Sequence, residues 1–175
     1  MKDEFFPLIG ERLKLDLFKS KDITPAYLCW LNDQFLMRYS NQRFMTHTFE
    51  NCLAYQKSFE HSENLFLAIK VNECDDLIGT MTAYINPHHQ TVDLGLMIGN
   101  KNFLGKGYGY EAWSLLSGAL LNNGFRKITA GAAAINYPMI EILKKSGMTL
   151  EATRRGQELI DGDEVDICYY AKFTA

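Results

Sequence analysis

No run of basic residues, no closely spaced cysteine pair and no membrane-length apolar stretch occurs in this chain, and each absence removes a class of function. Lys and Arg number 18 against 21 Asp and Glu, a net charge of −3, and the basic residues are scattered. The electrostatic footprint of a nucleic-acid binder is missing. Cys29, Cys52, Cys74 and Cys168 stand far apart and make no Cys-x-x-Cys pair, so they read as reduced thiols in a cytosolic protein. His88 and His89 are adjacent but have no Cys or carboxylate partners at ligand spacing, so no metal is expected. The segment MKDEFFPLIG lacks the basic start and apolar run of a signal peptide, and nothing elsewhere approaches the roughly 20 apolar residues that cross a bilayer. A soluble, cytoplasmic protein without a membrane partner is expected. Repeats, low-complexity tracts and linkers are also absent. What the chain has is 175 residues, 47% of them apolar, which suits one domain around one core.

The remaining elements are arranged around the stretch from Thr91 to Gly124. Val92, Leu94, Leu96 and Ile98 alternate with Asp93, Gly95 and Met97, the two-residue period of a strand. From Ala112 the period becomes helical through Leu115, Leu116, Ala119 and Leu120, and Gly124 closes the helix. Between them, Gly105, Gly107 and Gly109 alternate with Lys106 and Tyr108. Such a turn opening a helix offers unpaired N–H groups and the positive end of the helix dipole, hence an anion site suited to a pyrophosphate. Tyr110 occupies the place of a dinucleotide fold's third glycine, and no Gly-Lys-Ser/Thr is present, so neither of those phosphate motifs applies.

Read in order, Arg12 to Phe18 alternates as a first strand. Thr24-Pro25 caps a helix containing Leu28, Trp30 and Leu31, followed by a looser stretch from Gln34 to Tyr39. Ser40 to His47 reads as an irregular loop, and a helix is expected from Thr48 to about His61. Leu65 to Val71, Leu77 to Ile85 and the Thr91 strand form an antiparallel meander. Arg126 to Ala133 is a further strand, giving strand, helix, strand and so a parallel pair. The small residues Gly131, Ala132, Ala133 and Ala134 at its end would admit either a ligand or close helix packing. Asn136 and Pro138 open a helix reaching Lys145, and a hairpin follows, Met148 to Leu159 and Glu164 to Lys172 about an Asp161-Gly162 turn.

This order, with two motifs, resembles the GNAT superfamily of N-acetyltransferases across nearly the whole chain. The family's coenzyme A loop, Gln/Arg-x-x-Gly-x-Gly/Ala, is matched by Gly107 and Gly109, with Leu104 where Gln or Arg is usual. NYPMIEILKKSGM is similar to a second family motif through Asn136, Ile142, Lys145 and Gly147. RLKLDLF, YLCWLND and GKGYGYEA look like the ribosomal-protein N-terminal acetyltransferase subgroup, and WLNDQFLMRYSNQRFMTHT looks closer to relatives that acetylate amino sugars. The resemblance implies an α/β (α+β) fold, with a mixed, mostly antiparallel sheet, one splayed parallel pair and flanking helices. It also implies acetyl-CoA as co-substrate. Met97 and Ile98 would pair with the pantetheine arm. Leu104, Gly105, Lys106, Gly107, Tyr108, Gly109 and Tyr110 would hold the pyrophosphate, and Asn136 and Lys145 would face the cofactor.

The implied chemistry is attack of an uncharged amine on a thioester carbonyl. Asp93, at the strand position where many relatives carry Glu, is the candidate general base. Leu143 stands where many members have a Tyr that protonates the leaving thiolate; either Tyr137 or Tyr108 supplies the proton, or coenzyme A leaves as thiolate. Arg38, Arg43 and His47 are candidate contacts to an acidic group on the acceptor. The acceptor is expected to be a small amine, with an amino-sugar nucleotide as one class. The alternatives are a protein N-terminus and, in another class, a non-catalytic acyl-CoA-binding module. A monomer or homodimer is expected.

Overall fold

The structure, a computed structural model, describes residues 5–174, so the first four residues of the MKDEFFPLIG segment lie outside the described residues. The chain begins with β1 (Leu8–Ile9) and β2 (Leu13–Leu17), then the helices α1 (Pro25–Leu31), α2 (Gln34–Met37) and α3 (Phe49–Ser58). The meander follows as β3 (Leu65–Val71), β4 (Leu77–Asn86) and β5 (Thr91–Ile98). Then come α4 (Tyr108–Asn122), β6 (Lys127–Ala133), α5 (Tyr137–Lys145), β7 (Thr149–Ile160) and β8 (Asp163–Phe173). All eight strands join one sheet in the order β1-β2-β3-β4-β5-β6-β8-β7. Only β5 and β6 run parallel; every other neighbour is antiparallel. This is the mixed sheet expected from the sequence. The closing hairpin enters with β8 beside β6, which leaves β7 at one edge of the sheet, opposite β1.

The period-two pattern sorts residues to two covered faces. Leu13, Leu67, Val92 and Ile128 face α4 and α5, and pack with Trp113, Leu116 and Leu143. Phe18, Phe66 and Ala68 face the other way, against Tyr27 of α1, Met37 of α2 and Cys52 of α3. All seven residues of β3 are therefore buried. That includes Lys70, whose Nζ lies 2.8 Å from Asp22 Oδ1 with both side chains nearly sealed from water; the pairing is what makes burying either charge tolerable.

Local chemistry sets the ends of the helices. Thr24 Oγ1 accepts from the Tyr27 N–H at 3.2 Å, with Pro25 next to it, as the sequence predicts. The helix expected from Thr48 to His61 stops at Ser58, capped by Phe59. Asp161 and Gly162 both have positive φ, 54° and 92°, the conformation a two-residue hairpin turn needs.

Candidate active site

The parallel pairing of β5 and β6 lasts for three residue pairs, Thr91 with Lys127, Val92 with Ile128 and Asp93 with Thr129. Beyond Asp93 the strands part. The edge of β5 from Leu94 onward keeps its bonds to β4 but has no strand on its other side, so its outward backbone groups are available to a ligand. The N–H groups of Gly99 and Asn100 both donate to the Ile78 carbonyl, at 2.9 and 3.1 Å. This bulge ends the strand and turns the chain toward the glycine loop. Met97 and Ile98 thus form the last stretch of the open edge.

The glycine loop has the donors expected of it. Gly105 and Gly107 have φ of 70° and 84°, which other residues reach only under strain. Gly107 is the N-cap of α4 and has no side chain to cap with, and none of the N–H groups of Gly105, Lys106, Gly107, Tyr108, Gly109 and Tyr110 donates within the described residues. Leu104 differs from expectation: its N–H donates to the Lys101 carbonyl at 3.3 Å, so the free run begins one residue later. Helix α4 starts at Tyr108, directly from the glycine turn and one turn ahead of the helical period that shows from Ala112. Gly109 is already helical, and a Cβ there would lie 3.1 Å from Ile142 and 3.3 Å from Leu96, so the glycine allows the helix start to press onto β5 and α5.

Arg12, read in the sequence only as a polar strand residue, holds this loop. Its guanidinium donates from Nε to Glu111 Oε2 at 2.7 Å and from an Nη to the Lys106 carbonyl at 3.0 Å, and it stacks 4.3 Å over the Tyr108 ring. No local signal could have revealed this, because the partners are 94 and 99 residues away. From the opposite side, Trp30 of α1 lies on Gly99, where a Cβ would come within 2.2 Å of the indole, and Lys101 pairs with Asp33 at 2.6 Å.

Asp93 belongs to the last pair before the fork. Its Oδ2 accepts from Thr129 Oγ1 at 2.7 Å. The side chain is open to water at its rim, yet the surrounding sheet surface withholds solvent, and this desolvation pushes its carboxyl up from the ordinary value; the Thr129 hydrogen bond pulls the other way. Across β4, Tyr84 is the partner of Asp93, and its hydroxyl meets that of Tyr55 from α3 at 2.9 Å. Thr129, Tyr84 and Tyr55 went unmarked in the sequence reading. The polar Thr129 beside the small, apolar run 130–133 was the available signal.

The other candidates are distributed as follows. Asn136 Oδ1 accepts from the Met139 N–H at 3.4 Å, a helix cap, and Lys145 is exposed in the last turn of α5. Tyr137 is 70% exposed, whereas Leu143 is fully buried in the core. Arg38 stacks over Phe35 and Tyr39, 4.0 and 4.5 Å from their centroids, and Arg43 donates to the carbonyls of Ser40 and Leu159 at 3.0 and 3.1 Å. His47 is a correction to expectation. It is buried, its backbone N–H donates to Asn32 Oδ1 at 2.9 Å, and its Nε2 lies 3.1 Å from the Gln42 carbonyl. It fastens the 41–47 loop to α1 instead of facing a ligand. Among the described residues no three His, Cys, Asp or Glu side chains gather as a metal site would need.

Comparison with known proteins agrees with this geometry. The acetyltransferase (GNAT) domain family matches residues 12–149. No curated protein sequence matches the chain. Among solved structures, a GNAT-family acetyltransferase from Bacillus anthracis superposes with a TM-score of 0.81 at 20% identity, covering 97% of this chain and 99% of that one. RimL, a ribosomal alpha-N-protein acetyltransferase in complex with coenzyme A, gives 0.85 at 16% identity over 96% and 98% of the two chains. MccE, a microcin self-immunity acetyltransferase in complex with acetyl-CoA and AMP, gives 0.77 at 19% identity over 94% and 93%. With a forked parallel pair, an uncapped glycine-rich helix start and a family match over most of its length, the chain belongs to the GNAT family of acetyltransferases and is an acetyl-CoA-dependent N-acetyltransferase.

Proposed function

We propose that the protein transfers the acetyl group of acetyl-CoA to the primary amine of a small molecule in the cytoplasm, and that the acceptor is an amino-sugar nucleotide. The observation that carries this reading is the Asp93 carboxylate, hydrogen-bonded by Thr129 at the fork of β5 and β6. Acetyl-CoA supplies the activated carbonyl. Met97 and Ile98 hold the pantetheine arm through their backbone. Gly105, Lys106, Gly107, Tyr108, Gly109 and Tyr110 take the pyrophosphate on free N–H groups at the positive end of α4. Asn136 and Lys145 border the cofactor from α5.

Asp93 removes the proton of the attacking amine, directly or through water. An amine with a pKa near or below about 8 needs only modest help at neutral pH. Open N–H groups of β5 lie where they can meet the developing oxyanion, a role for backbone geometry and not for a side chain. Tyr137, exposed at the mouth of α5, is the proton donor assigned to the departing thiolate. Arg38 and Arg43, on the α1–α3 face, favour an acidic acceptor, and the AMP bound by MccE supports a nucleotide-bearing one.

A second reading, acetylation of a protein N-terminus, is favoured by the likeness to RimL. Release of coenzyme A thiol, followed with amino-sugar nucleotides in parallel with short peptides, separates the two. Release with the sugars alone is expected. Release with peptides alone overturns the small-molecule reading.

A further inference from the structure

The hairpin of β7 and β8 lies beyond the stretch matched by the family, and it brings a cation to the open side of the fork. On the face that carries Asp93, register sets three rows: Asp93 with Thr129 and Ala171, then Gly131 with Tyr169 and Ala152, then Ala133 with Ile167 and Arg154. Directly opposed residues share a face. The Tyr169 ring lies on Gly131, where a Cβ would come within 3.2 Å of a ring carbon, so the ring leans across β6 toward β5. Arg154 stacks on that ring, 4.8 Å from guanidinium carbon to centroid.

The Arg154 side chain makes no hydrogen bond or ion pair among the described residues. Three carboxylates of its own hairpin are placed elsewhere. Asp166 Oδ1 accepts from the Gly156 N–H at 2.8 Å, Glu151 pairs with Lys127, and Glu164 packs at the Gly156 bend. Stacking covers one face of a guanidinium and leaves its donor edge free, the edge that meets phosphate oxygens in a fork. Tyr39, with Arg38 stacked on it, packs against the same small apolar cluster as Tyr169, so a second cation faces this side.

We infer that Arg154, held on Tyr169 above Gly131, forms a subsite for a phosphate or diphosphate on the acceptor. Strand spacing sets Gly131 roughly 8 Å from Asp93, one strand over and two residues along. The acceptor therefore carries its anion several bonds away from the reacting amine, as a sugar nucleotide does and a bare amino sugar does not. Gly131, one of the small residues that stood out in the sequence, has its use here: any side chain would lift the ring off β6.

This inference rests on the small-molecule reading above, and the test separates the two. UDP is titrated calorimetrically into protein saturated with coenzyme A, with uridine as the neutral control. The expected result is UDP binding that weakens about tenfold or more in Arg154→Met and Tyr169→Ala, survives in Tyr169→Phe, and has no counterpart with uridine. No UDP binding, or equal binding by wild type and Arg154→Met, overturns the subsite. If UDP binding follows the expected pattern while no amino-sugar nucleotide supports thiol release, the subsite stands and the acceptor assignment falls.

Discussion

The hydroxyl of Thr129 donates to the carboxylate of Asp93 at 2.7 Å across the last residue pair that β5 and β6 share. The pair fixes a carboxylate at the point where β5 and β6 part, the place proposed above for the base. Asp93→Asn keeps the hydrogen-bonding shape and removes the base. General-base catalysis contributes about 10² to 10⁴ in rate, and the amine here needs modest help, so kcat is expected to fall about 10²-fold with little change in the KM for acetyl-CoA. Unaltered turnover in steady-state assays would remove Asp93 from the mechanism.

The same residue makes a stability prediction of opposite sign. Desolvation raises the folded-state pKa of Asp93 above its unfolded value. Between the two values the native state binds more protons, so the stability contribution is full below the unfolded pKa and is lost as pH rises through the folded one. Asp93→Asn should melt higher than wild type at neutral pH, and the difference should shrink below about pH 4, where the wild-type carboxyl is protonated in both states. Thermal melts across that range test it.

Thr129→Val deletes the one hydrogen bond that lowers the Asp93 pKa. The carboxyl then titrates at higher pH, so the acid limb of kcat/KM moves upward while the plateau above it is kept. A limb that stays in place would mean that Asp93 is not the group being titrated.

Arg12 tests the loop. It spans Glu111 and the Lys106 carbonyl with two different nitrogens, so Lys cannot replace it. Burial alone would raise the Glu111 pKa, but hydrogen bonds from the Arg12 backbone and guanidinium, with the guanidinium charge, outweigh it and hold the carboxyl below its usual value. That contribution is present above the unfolded Glu pKa and lost as pH falls through the lowered one. At neutral pH, Arg12→Met and Arg12→Lys are expected to raise the KM for acetyl-CoA about tenfold with kcat nearly unchanged, because the loop is proposed to hold the nucleotide end and not the reacting carbonyl. An equal fall in kcat would place Arg12 in the chemistry.

The sequence carried those parts of the site that depend on local pattern. The change from period two to period 3.6 between Ile98 and Ala112, the three glycines, the Thr24 and Asn136 caps and the Asp161-Gly162 turn are properties of neighbouring residues, and the structure has them. Long-range partners were not legible. Arg12 and Glu111 meet only because β2 passes beside α4, and His47 looks like a polar loop residue until Asn32 closes over it. The length of the fork is equally invisible: residues 127–129, which pair with β5, and the small residues 130–133 beyond them differ in size, but small side chains suit close packing as well as a ligand and so do not mark where β6 leaves β5.

Leu143 leaves this chain without a side-chain proton donor at the position where many family members carry a Tyr. It is fully buried among Trp113, Leu116 and Ile140, so a Tyr at this position would have to force its ring and hydroxyl into a filled core. Leu143→Tyr is expected to cost about 1–3 kcal/mol, read from urea denaturation, with no gain in kcat. Tyr137 carries its hydroxyl in solvent at the start of α5 and can be changed without a core penalty. A thiol leaves with a pKa near about 8.5, so protonation of the leaving group is worth less than it would be for an alkoxide. Tyr137→Phe should therefore lower kcat by about tenfold, at or below the low end for general acids, and leave the melting curve unmoved. An unchanged kcat would remove Tyr137 as the donor; if Tyr108→Phe is also without effect, coenzyme A departs as the thiolate with no donor, which is chemically coherent for so acidic a leaving group and would account for a core leucine at this position.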